Sequence, residues 1–372
     1  MCVSRADKSS GCSAVDRARK RFESDKIERM ETAAERGVGP GAAFVVGPTG
    51  AGKTAFAIAL AERLGAEIVN ADSRQVYRGM DIGAAKPSAA ERARAPHHLF
   101  DLRDPIEPLD AAEFARIARR TVAEIAARGR PALVVGGSGL YLRALRGGLF
   151  PGPPAAPEVR RRILADAGAE GAQAIYRRLA AIDPAAAARI DANDAVRIVR
   201  ALEVYELTGR PLSEWHREHR FAGYADCGPC VGLALERGEL YRRLDRRFDA
   251  MIAAGLIDEA RGLIAAGMDR GGAFAATIGY REIGAWLRGG SERAEALALA
   301  KRETRRLAKR QMTWFRREPG IVWLDPAHGI EQALKLFTDY FNAGRARHDG
   351  TSGASGGTDG GRDRTAAGNG RA

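Results

Sequence analysis

Residues 47–54, GPTGAGKT, are the clearest indication of the fold of this chain. They match the phosphate-binding loop pattern G-x-x-x-x-G-K-[ST] at every fixed position. In such a loop, glycines let successive backbone N–H groups turn toward an anion. A lysine places its charge on the terminal phosphates, and a threonine hydroxyl can ligate a divalent cation. The predicted phosphate-binding residues are Gly47, Thr49, Gly50, Ala51, Gly52, Lys53 and Thr54, with Thr54 also the predicted metal ligand.

The residues on either side of this loop have the patterns of a strand and a helix. An apolar run precedes it, and apolar side chains at helical spacing follow it. Further along, strand-like runs alternate with helical stretches, which predicts a P-loop NTPase-like α/β fold: a parallel sheet with helices on both faces. The predicted strands are 42–46, 67–70, 98–102, 132–135, 231–235 and 321–324. The predicted helices are 110–128, 240–253, 257–266, 281–287, 292–316 and 330–341.

One segment interrupts the alternation of strands and helices. Residues 151–221 open on a proline-rich stretch and continue with helical patterns and no clear strand, which predicts an all-helical insertion domain. The P-loop α/β core domain would then comprise residues 41–150 and 222–344. Residues 1–40 are densely charged and poor in large apolar side chains, and residues 345–372 are rich in glycine, so we expect both to be disordered.

Composition narrows the classes of partner and compartment. The chain has 372 residues and a formal net charge of +12, which favours a polyanionic partner such as nucleic acid over a small phosphorylated compound alone. No apolar run is long enough to span a membrane, and four cysteines do not make a disulfide framework. A cytoplasmic location is therefore expected. We also expect a monomer, although composition does not indicate the oligomeric state. The pair Cys227 and Cys230 has redox spacing but precedes a strand, so we interpret it as coincidental.

A carboxylate follows the predicted strand 67–70. Ligand chemistry in open parallel sheets gathers at the carboxyl ends of the strands, so Asp72 is a candidate to face the bound phosphate. An aspartate that only caps a turn at this position is an equally good interpretation. The strand 132–135 ends in GGSGLY rather than in the magnesium-binding aspartate of a phosphate-loop kinase. That ending weakens the kinase interpretation and leaves the Ser138 hydroxyl near the ligand.

Several longer motifs together resemble the isopentenyl-tRNA transferase family, whose members are tRNA dimethylallyltransferases. Phosphate-loop kinases share only the first of these motifs, so the set is specific. The motifs are GPTGAGKT at 47–54, NADSRQVYRGMDIGAAKP at 70–87, APHHLFDLRDP at 95–105, LVVGGSGLYLRAL at 133–145, RALEVYELTG at 200–209, GYRE at 279–282 and TRRLAKRQMTWFR at 304–316.

The resemblance implies an activity. It is transfer of the dimethylallyl group from dimethylallyl diphosphate to the exocyclic amine of the adenosine 3′ of the anticodon in tRNA, with release of diphosphate and with Mg²⁺ as cofactor. It also implies that Asp72 is the general base, that Lys53 and Arg247 bind the diphosphate, and that Ser138 lies near the reacting amine, where the family usually has threonine. The residues implied to contact tRNA are Asp72, Ser73, Arg74, Gln75, Ser138, Arg160, Asn193, Asp194, Arg197 and Arg200.

A basic segment near the end of the core is a further candidate contact for RNA. Residues 301–317 carry many lysines and arginines against one acid, Glu303. On a helix, Arg302, Arg306 and Arg310 form one stripe, and Lys301, Arg305 and Lys309 form the adjacent stripe. Such stripes bind phosphates without reading sequence, although charge runs are often only solvated helix faces.

Two other functions stay open at this point. The first is a P-loop small-molecule kinase, which would transfer phosphate from ATP. The second is a non-catalytic RNA-binding protein that uses a nucleotide as a switch. Both share the phosphate loop with the prenyl transferase, and neither requires a catalytic role for Asp72.

Overall fold

One six-stranded sheet forms the centre of the molecule. The structure, a computed structural model, describes residues 41–219 and 227–352, so the predicted disordered extension 1–40 and most of the predicted tail lie outside the described residues. The strands are β1 (Ala42–Val46), β2 (Glu67–Asn70), β3 (His97–His98), β4 (Ala132–Gly136), β5 (Cys230–Leu233) and β6 (Ile321–Leu324). All pairings are parallel, in the order β3-β2-β4-β1-β5-β6. The predicted fold class is confirmed.

Helices cover both faces of this sheet. The helices of the core are α1 (Lys53–Leu64), α2 (Ala89–Arg94), α3 (Ala111–Ala127), α4 (Gly139–Gly147), α10 (Arg237–Ala253), α11 (Leu256–Ala265), α12 (Gly272–Ala276), α13 (Tyr280–Leu287), α14 (Arg293–Phe315) and α15 (Ile330–Ser352). Strand side chains alternate between faces. Phe44 packs with α3, α4 and α14, whereas Val45 packs with α1 and α15. Burial on both faces explains why the central strands are continuous apolar runs.

A second group of helices lies between β4 and β5 in the chain. Its members are α5 (Pro157–Asp166), α6 (Ala172–Ile182), α7 (Pro184–Ala187), α8 (Ala195–Thr208) and α9 (Leu212–His219). They share a hydrophobic cluster of their own, which includes the buried Ile163, Leu179 and Leu202. The described residues of the predicted insertion thus form helices joined by loops, with no strand among them, and its exact boundaries stay predictions. At the other end of the chain, α15 continues to Ser352, past the predicted boundary at residue 344.

The predicted strand at 98–102 is wrong in extent. The structure keeps only His97–His98 as strand β3, because Leu99 and Asp101 have left-handed backbone conformations, with φ of 66° and 56°. Two contacts hold this bend. The Asn70 side chain donates to the Leu99 carbonyl over 3.0 Å, and the buried Lys86 ammonium pairs with Asp101. Side chains distant in sequence therefore override the local β pattern.

Strand order brings three loops together at one edge of the sheet. β1 lies directly beside β4, and β4 lies beside β2, with Val46 opposite Gly136 and Asn70 opposite Val135. The connection that leaves β1 leads to β2 on one side of the sheet, whereas the connection that leaves the adjacent β4 leads to β5 on the other side. Such a switch point opens a crevice at the carboxyl ends of the strands. The loops that leave β1, β4 and β2 are the phosphate loop, the GGSG segment and the Asp72 segment.

The carboxylate of Glu259 on α11 fixes the far end of the Asp72 segment. It accepts hydrogen bonds from three consecutive backbone N–H groups, those of Asp81, Ile82 and Gly83, at 2.9 to 3.1 Å. The Tyr280 hydroxyl donates to the same carboxylate. Each of these donors needs an oxygen opposite it, and Glu259 supplies one to all three, while the Tyr280 hydroxyl oxygen also accepts the Gly83 N–H over 3.1 Å.

We expect Glu259→Gln to destabilise the fold by about 1.5–3 kcal/mol, because an amide N–H₂ would then face the backbone donors. Asp258→Asn is the matched control. Asp258 is an exposed neighbour that pairs only with Arg261, so its loss should cost at most about 1 kcal/mol. Urea unfolding followed by circular dichroism measures both free energies of unfolding, and equal losses in the two variants would contradict the role of Glu259.

Candidate active site

The phosphate loop connects β1 to α1 and has the backbone of an anion cradle. Gly50 and Gly52 have φ of 80° and 87°, a region that side chains disfavour. Gly50 also lies against Leu244 of α10, where a Cβ atom would approach to 2.6 Å. The Lys53 ammonium donates to the Pro48 carbonyl over 2.8 Å, and the Thr49 N–H donates to the Gln311 side chain over 2.8 Å.

The Asp72 side chain serves a turn and also belongs to the site. Its Oδ1 accepts the Arg74 N–H at 2.8 Å, while its own N–H donates to Asn70 Oδ1 at 3.0 Å. The same carboxylate is close enough to act electrostatically on both Lys53 and Arg247. The two interpretations that the sequence left equal are therefore compatible, because one carboxylate oxygen orders the turn and the charge still acts on the cradle.

Ser138 connects the end of β4 to the Asp72 segment. Its hydroxyl oxygen accepts the Ser73 N–H at 2.8 Å and donates to the Ser73 hydroxyl at 3.0 Å. Gln75, two residues further on, donates to the carbonyls of Ala84 and Ala85 at 3.1 and 3.0 Å. In this structure, Ser138 and Gln75 thus order the segment that carries Asp72.

One cleft of about 720 Å³ joins these groups. Thr49 of the phosphate loop, Asp72 and Ser138 all contribute to its lining, so an open space connects the cradle to the acid. An apolar wall adjoins them, formed by Tyr141, Leu244, Phe248, Met251, Leu256, Ile278 and Leu307. Four arginines, Arg74, Arg247, Arg281 and Arg310, also line the cleft, together with the acids Asp110 and Glu303. The cleft can hold a molecule with an anionic head and a short apolar tail.

The electrostatics of the cleft favour an anion. Burial lowers the pKa of Lys53 from 10.5 to about 8; the negative charge of Asp72 opposes this fall and the positive charge of Arg247 adds to it. Burial also lowers the pKa of Arg247, against the charges of Asp72 and Glu91. Two cations that have lost water and face one carboxylate are stabilised by an added anion.

The residues present fit a magnesium ion held mainly by a ligand. The hydroxyl of Thr54 in the first turn of α1 is half-buried and has no hydrogen bond within the described residues. No group of three or more His, Cys, Asp or Glu side chains in the described part of the chain forms a metal site of its own. Mg²⁺ is often bound by few protein groups together with phosphate oxygens and water, which agrees with one hydroxyl beside a phosphate loop.

The basic stripes of α14 differ in their surroundings. Lys301 and Arg305 pair with Asp249 and Asp245 of α10, each over 2.6 Å. Acids from another helix therefore neutralise two of the three residues in the stripe of Lys301, Arg305 and Lys309. In the first stripe, which consists of Arg302, Arg306 and Arg310, Arg306 pairs with Glu303 over 2.7 Å. Within the described residues, Arg302, Lys309 and Arg310 are exposed and have no ion-pair partner. The charge still available to an external polyanion is therefore concentrated on the first stripe and Lys309.

The basic residues predicted in the helical insertion take part in internal contacts. Arg160 and Arg200 both bind the fully buried Glu203 carboxylate, at 2.8 and 2.5 Å. Burial alone would raise the pKa of Glu203, but the hydrogen bonds from Arg160, the Ala156 N–H and Arg200 lower it instead. Arg197 is exposed and pairs with Asp194, the N-cap of α8, and Asn193 precedes that cap. Arg197 is the member of this group most available to RNA.

Three cleft residues were not identified as site residues from sequence. The helical spacing of residues 301–317 puts Gln311 and Trp314 on a different face of α14 from its basic stripes, and Arg281 lies in the motif GYRE, to which no role was given. Gln311 bonds two loops, Trp314 stacks under the Arg143 guanidinium at 4.3 Å, and Arg281 pairs with Glu282. Their helical spacing showed that Gln311 and Trp314 face inward, but no local pattern shows which loops they meet.

The cysteine pair has no reactive geometry. Cys230 is buried, and burial raises the pKa of its thiol to about 12. A thiol with a raised pKa is a weak nucleophile at neutral pH, so the interpretation of this spacing as coincidental is consistent with the structure.

In the described residues, no helix is long and apolar enough to cross a membrane.

The fold and the cleft define a class of protein, a P-loop α/β protein whose phosphate cradle opens onto an acid and an apolar pocket. The sequence profile of the family described as IPP transferase matches residues 75–318. The chain belongs to this IPP transferase family, as the resemblance indicated.

Individual relatives agree with this assignment. The chain is 53% identical to the tRNA dimethylallyltransferase of Geobacter metallireducens over 299 residues, which cover 80% of this chain and 97% of the relative. It is 50% identical to that of Geobacter sulfurreducens, over 80% of this chain and 96% of the relative.

Solved structures show the same architecture. The tRNA isopentenylpyrophosphate transferase of Bacillus halodurans superposes with a TM-score of 0.60 at 38% identity, covering 82% of this chain and 99% of that chain. A eukaryotic dimethylallyltransferase acting on tRNA superposes with a TM-score of 0.68 at 26% identity, covering 81% and 79%. These similarities support prenyl transfer to tRNA, and they do not favour the kinase alternative.

The pKa of Lys53 predicts how the binding of dimethylallyl diphosphate depends on pH. In the free protein Lys53 is charged below about pH 8 and neutral above it. A bound diphosphate favours the charged form, so binding takes up a proton above pH 8 and the affinity should fall by up to about tenfold per pH unit. Titration calorimetry between pH 7 and 9.5 measures this slope.

Lys53→Arg is the matched control for this measurement. Arginine keeps its proton throughout the range, so the decline above pH 8 should disappear in this variant. An affinity of the wild-type protein that stays constant from pH 7 to 9.5 would show that Lys53 is not the titrating group.

Proposed function

We propose that this protein transfers the dimethylallyl group from dimethylallyl diphosphate to the exocyclic amine of the adenosine that follows the anticodon in tRNA, with release of diphosphate. The observation that supports it most directly is the shared cleft. Its lining places a phosphate loop, an acid and an apolar wall around one space of about 720 Å³. A prenyl diphosphate has an apolar tail and the acceptor is a planar base, and both would contact such an apolar wall beside the acid. A nucleoside triphosphate acting as a phosphate donor does not require one.

The cationic side of the cleft fits the diphosphate. Backbone N–H groups of the loop, the Lys53 ammonium and the Arg247 guanidinium would hold its oxygens and stabilise the charge that develops as the C–O bond breaks. The allylic carbon stabilises positive charge by delocalisation, so the C–O bond can break with little bond formation to the nucleophile. Phe248 and Met251 then offer apolar contact to the five-carbon group.

The acid side of the cleft fits the acceptor. The exocyclic amine of adenine is a poor nucleophile because its lone pair is delocalised into the ring. In our proposal the amine nitrogen forms the new N–C bond and Asp72 takes one amine proton, while the electrons of the C–O bond leave with the diphosphate. The hydrogen bond that the Asp72 Oδ1 accepts from the Arg74 N–H holds the carboxylate in place for this transfer.

Magnesium is part of the proposal, with Thr54 as its protein ligand and the diphosphate and water as the others. When bound, Mg²⁺ would neutralise charge on the leaving diphosphate. The proposed monomer and cytoplasmic compartment rest on the sequence alone.

RNA recognition would use the cationic residues around the cleft. Arg74 and Arg310 line it, and Arg302, Arg306 and Lys309 extend from it along α14. The target adenine must leave the anticodon loop stack to reach Asp72, at a cost of a few kcal/mol, about the range for extruding a base that is not paired. Phosphate contacts along α14 would hold the RNA while the base is displaced.

The activity is tested by nucleoside mass analysis of unmodified tRNA incubated with the protein, Mg²⁺ and dimethylallyl diphosphate. We expect one adenosine per substrate tRNA to gain the mass of a dimethylallyl group in place of hydrogen. ATP in place of the prenyl donor should leave the RNA unchanged. Unmodified RNA in the first reaction, or hydrolysis of ATP at a comparable rate, would refute the proposal.

Asp72→Asn should lower the single-turnover rate constant by about 10²- to 10⁴-fold, the usual contribution of a general base. Asparagine keeps an oxygen for the Arg74 N–H, so the turn and the binding of tRNA should persist. Asp110→Asn is the control: asparagine caps α3 as well as aspartate does, and the rate should change far less. A near-normal rate for Asp72→Asn would remove Asp72 from the role of base.

Replacing Arg302, Arg306 and Arg310 by glutamine should weaken the binding of all tRNAs and lower the slope of log K against log salt by about 0.7–0.9 for each phosphate that the helix no longer neutralises. The control variant carries Arg63→Gln and Lys335→Gln, which lie on α1 and α15 at the opposite face of the sheet. Filter binding between 50 and 300 mM salt, about the range that resolves such slopes, measures both. Equal slopes in all three proteins would exclude α14 as the RNA contact.

A further inference from the structure

The side chain of Gln311 joins three parts of the cleft that lie far apart in sequence. Its Oε1 accepts the Thr49 N–H of the phosphate loop at 2.8 Å, and its Nε2 donates to the Gly137 carbonyl at 2.9 Å. These partners precede Gln311 by 262 and 174 residues. Because the amide has one acceptor end and one donor end, both contacts fix a single orientation of the side chain.

Gly137 makes this approach feasible. A Cβ atom at that position would lie 2.8 Å from Gln311 Nε2 and 3.5 Å from Lys53 Nζ, so any larger residue would push the amide away. The next residue, Ser138, holds the Ser73 N–H, and Ser73 follows Asp72. Gln311 therefore bonds the phosphate loop directly, through Thr49. It connects to the segment that carries the proposed base indirectly, through Gly137 and the neighbouring Ser138.

Gln311 is carried by the helix that we propose binds RNA. Arg310, its neighbour in sequence, is exposed and lines the cleft, and Arg306 lies one turn away. The same helix is anchored by the buried side chains of Ala308 and Phe315. A small displacement of α14 on binding RNA would move the Gln311 side chain, which bonds both Thr49 and Gly137.

We infer that Gln311 is a positioning residue that couples the binding of RNA on α14 to the binding of diphosphate in the phosphate loop. This inference rests on the proposed function, because it takes α14 as the RNA contact. RNA bound to α14 would hold the helix, and with it the Gln311 amide, against the Thr49 N–H and the Gly137 carbonyl. The spacing between the phosphate cradle and Ser138 would then be maintained. Coupling between two sites is reciprocal, so diphosphate should tighten RNA binding by the same factor.

The test measures the dissociation constant of inorganic diphosphate, with Mg²⁺, in the absence and presence of saturating unmodified tRNA. Inorganic diphosphate cannot donate a prenyl group, so no turnover disturbs the measurement. For the wild-type protein we expect tRNA to tighten diphosphate binding by about tenfold, within the usual range of such couplings. For Gln311→Met, which keeps the length of the side chain and removes both hydrogen bonds, this ratio should fall close to one.

Gln332→Met is the matched control, because it makes the same substitution at an exposed position on α15, away from the cleft. It should retain the wild-type ratio. Gly137→Ala is a second variant that should break the contacts of Gln311, because the added methyl group would lie 2.8 Å from Gln311 Nε2 and displace the amide. It keeps the inference testable if Gln311→Met does not fold, as judged by its thermal melting curve.

The outcomes separate the coupling from the proposed function. A wild-type ratio of one, or an unchanged ratio in Gln311→Met and Gly137→Ala, would overturn the coupling. If the same wild-type preparation still prenylates tRNA, only the coupling fails. A wild-type protein that neither binds nor prenylates tRNA would instead refute the proposed function, and the coupling with it.

Discussion

The parallel pairing of β1, β4 and β2 is the constraint on which the site depends. These strands are buried on both faces, so each backbone group on them must find its partner on a neighbouring strand. The resulting register sets Val46 opposite Gly136 and Asn70 opposite Val135. The phosphate loop, the GGSG segment and the Asp72 segment therefore leave the sheet side by side. None of these loops can move away from the others without breaking pairs in the core.

Charge distribution within this frame distinguishes the site from that of a phosphoryl-transfer enzyme. The cleft contains two cations that have lost water, Lys53 and Arg247, and one carboxylate that acts on both. β4 ends in glycines and a serine, without the acid that holds magnesium in many phosphate-loop enzymes. The acid lies instead on the neighbouring strand end, beside an apolar wall. This arrangement suits a reaction in which the diphosphate leaves and a second molecule approaches the acid.

Pattern reasoning succeeded where local sequence controls local structure. The phosphate loop, the buried strands β1 and β2, the edge strand β6 and seven core helices, α1, α3, α10, α11, α13, α14 and α15, follow from short-range spacing, because hydrophobic period and turn chemistry are local properties. It was wrong at residues 98–102, where contacts from Asn70 and Lys86 bend the chain. Sequence patterns also identified only one acid, Glu303, near the basic residues of α14. Asp245 and Asp249 contact that helix only because α10 packs against it.

The phosphate-binding loop, an acid directly after a buried strand, a basic helix and the family can all be predicted from the sequence, because each depends on consecutive or regularly spaced residues. The three-dimensional packing was needed to show which cations remain available, that Glu259 bonds the loop 81–83, and that Gln311 bonds both Thr49 and Gly137. Those contacts join residues whose separation along the chain carries no periodic signal. They arise from packing, and packing is a property of the whole fold.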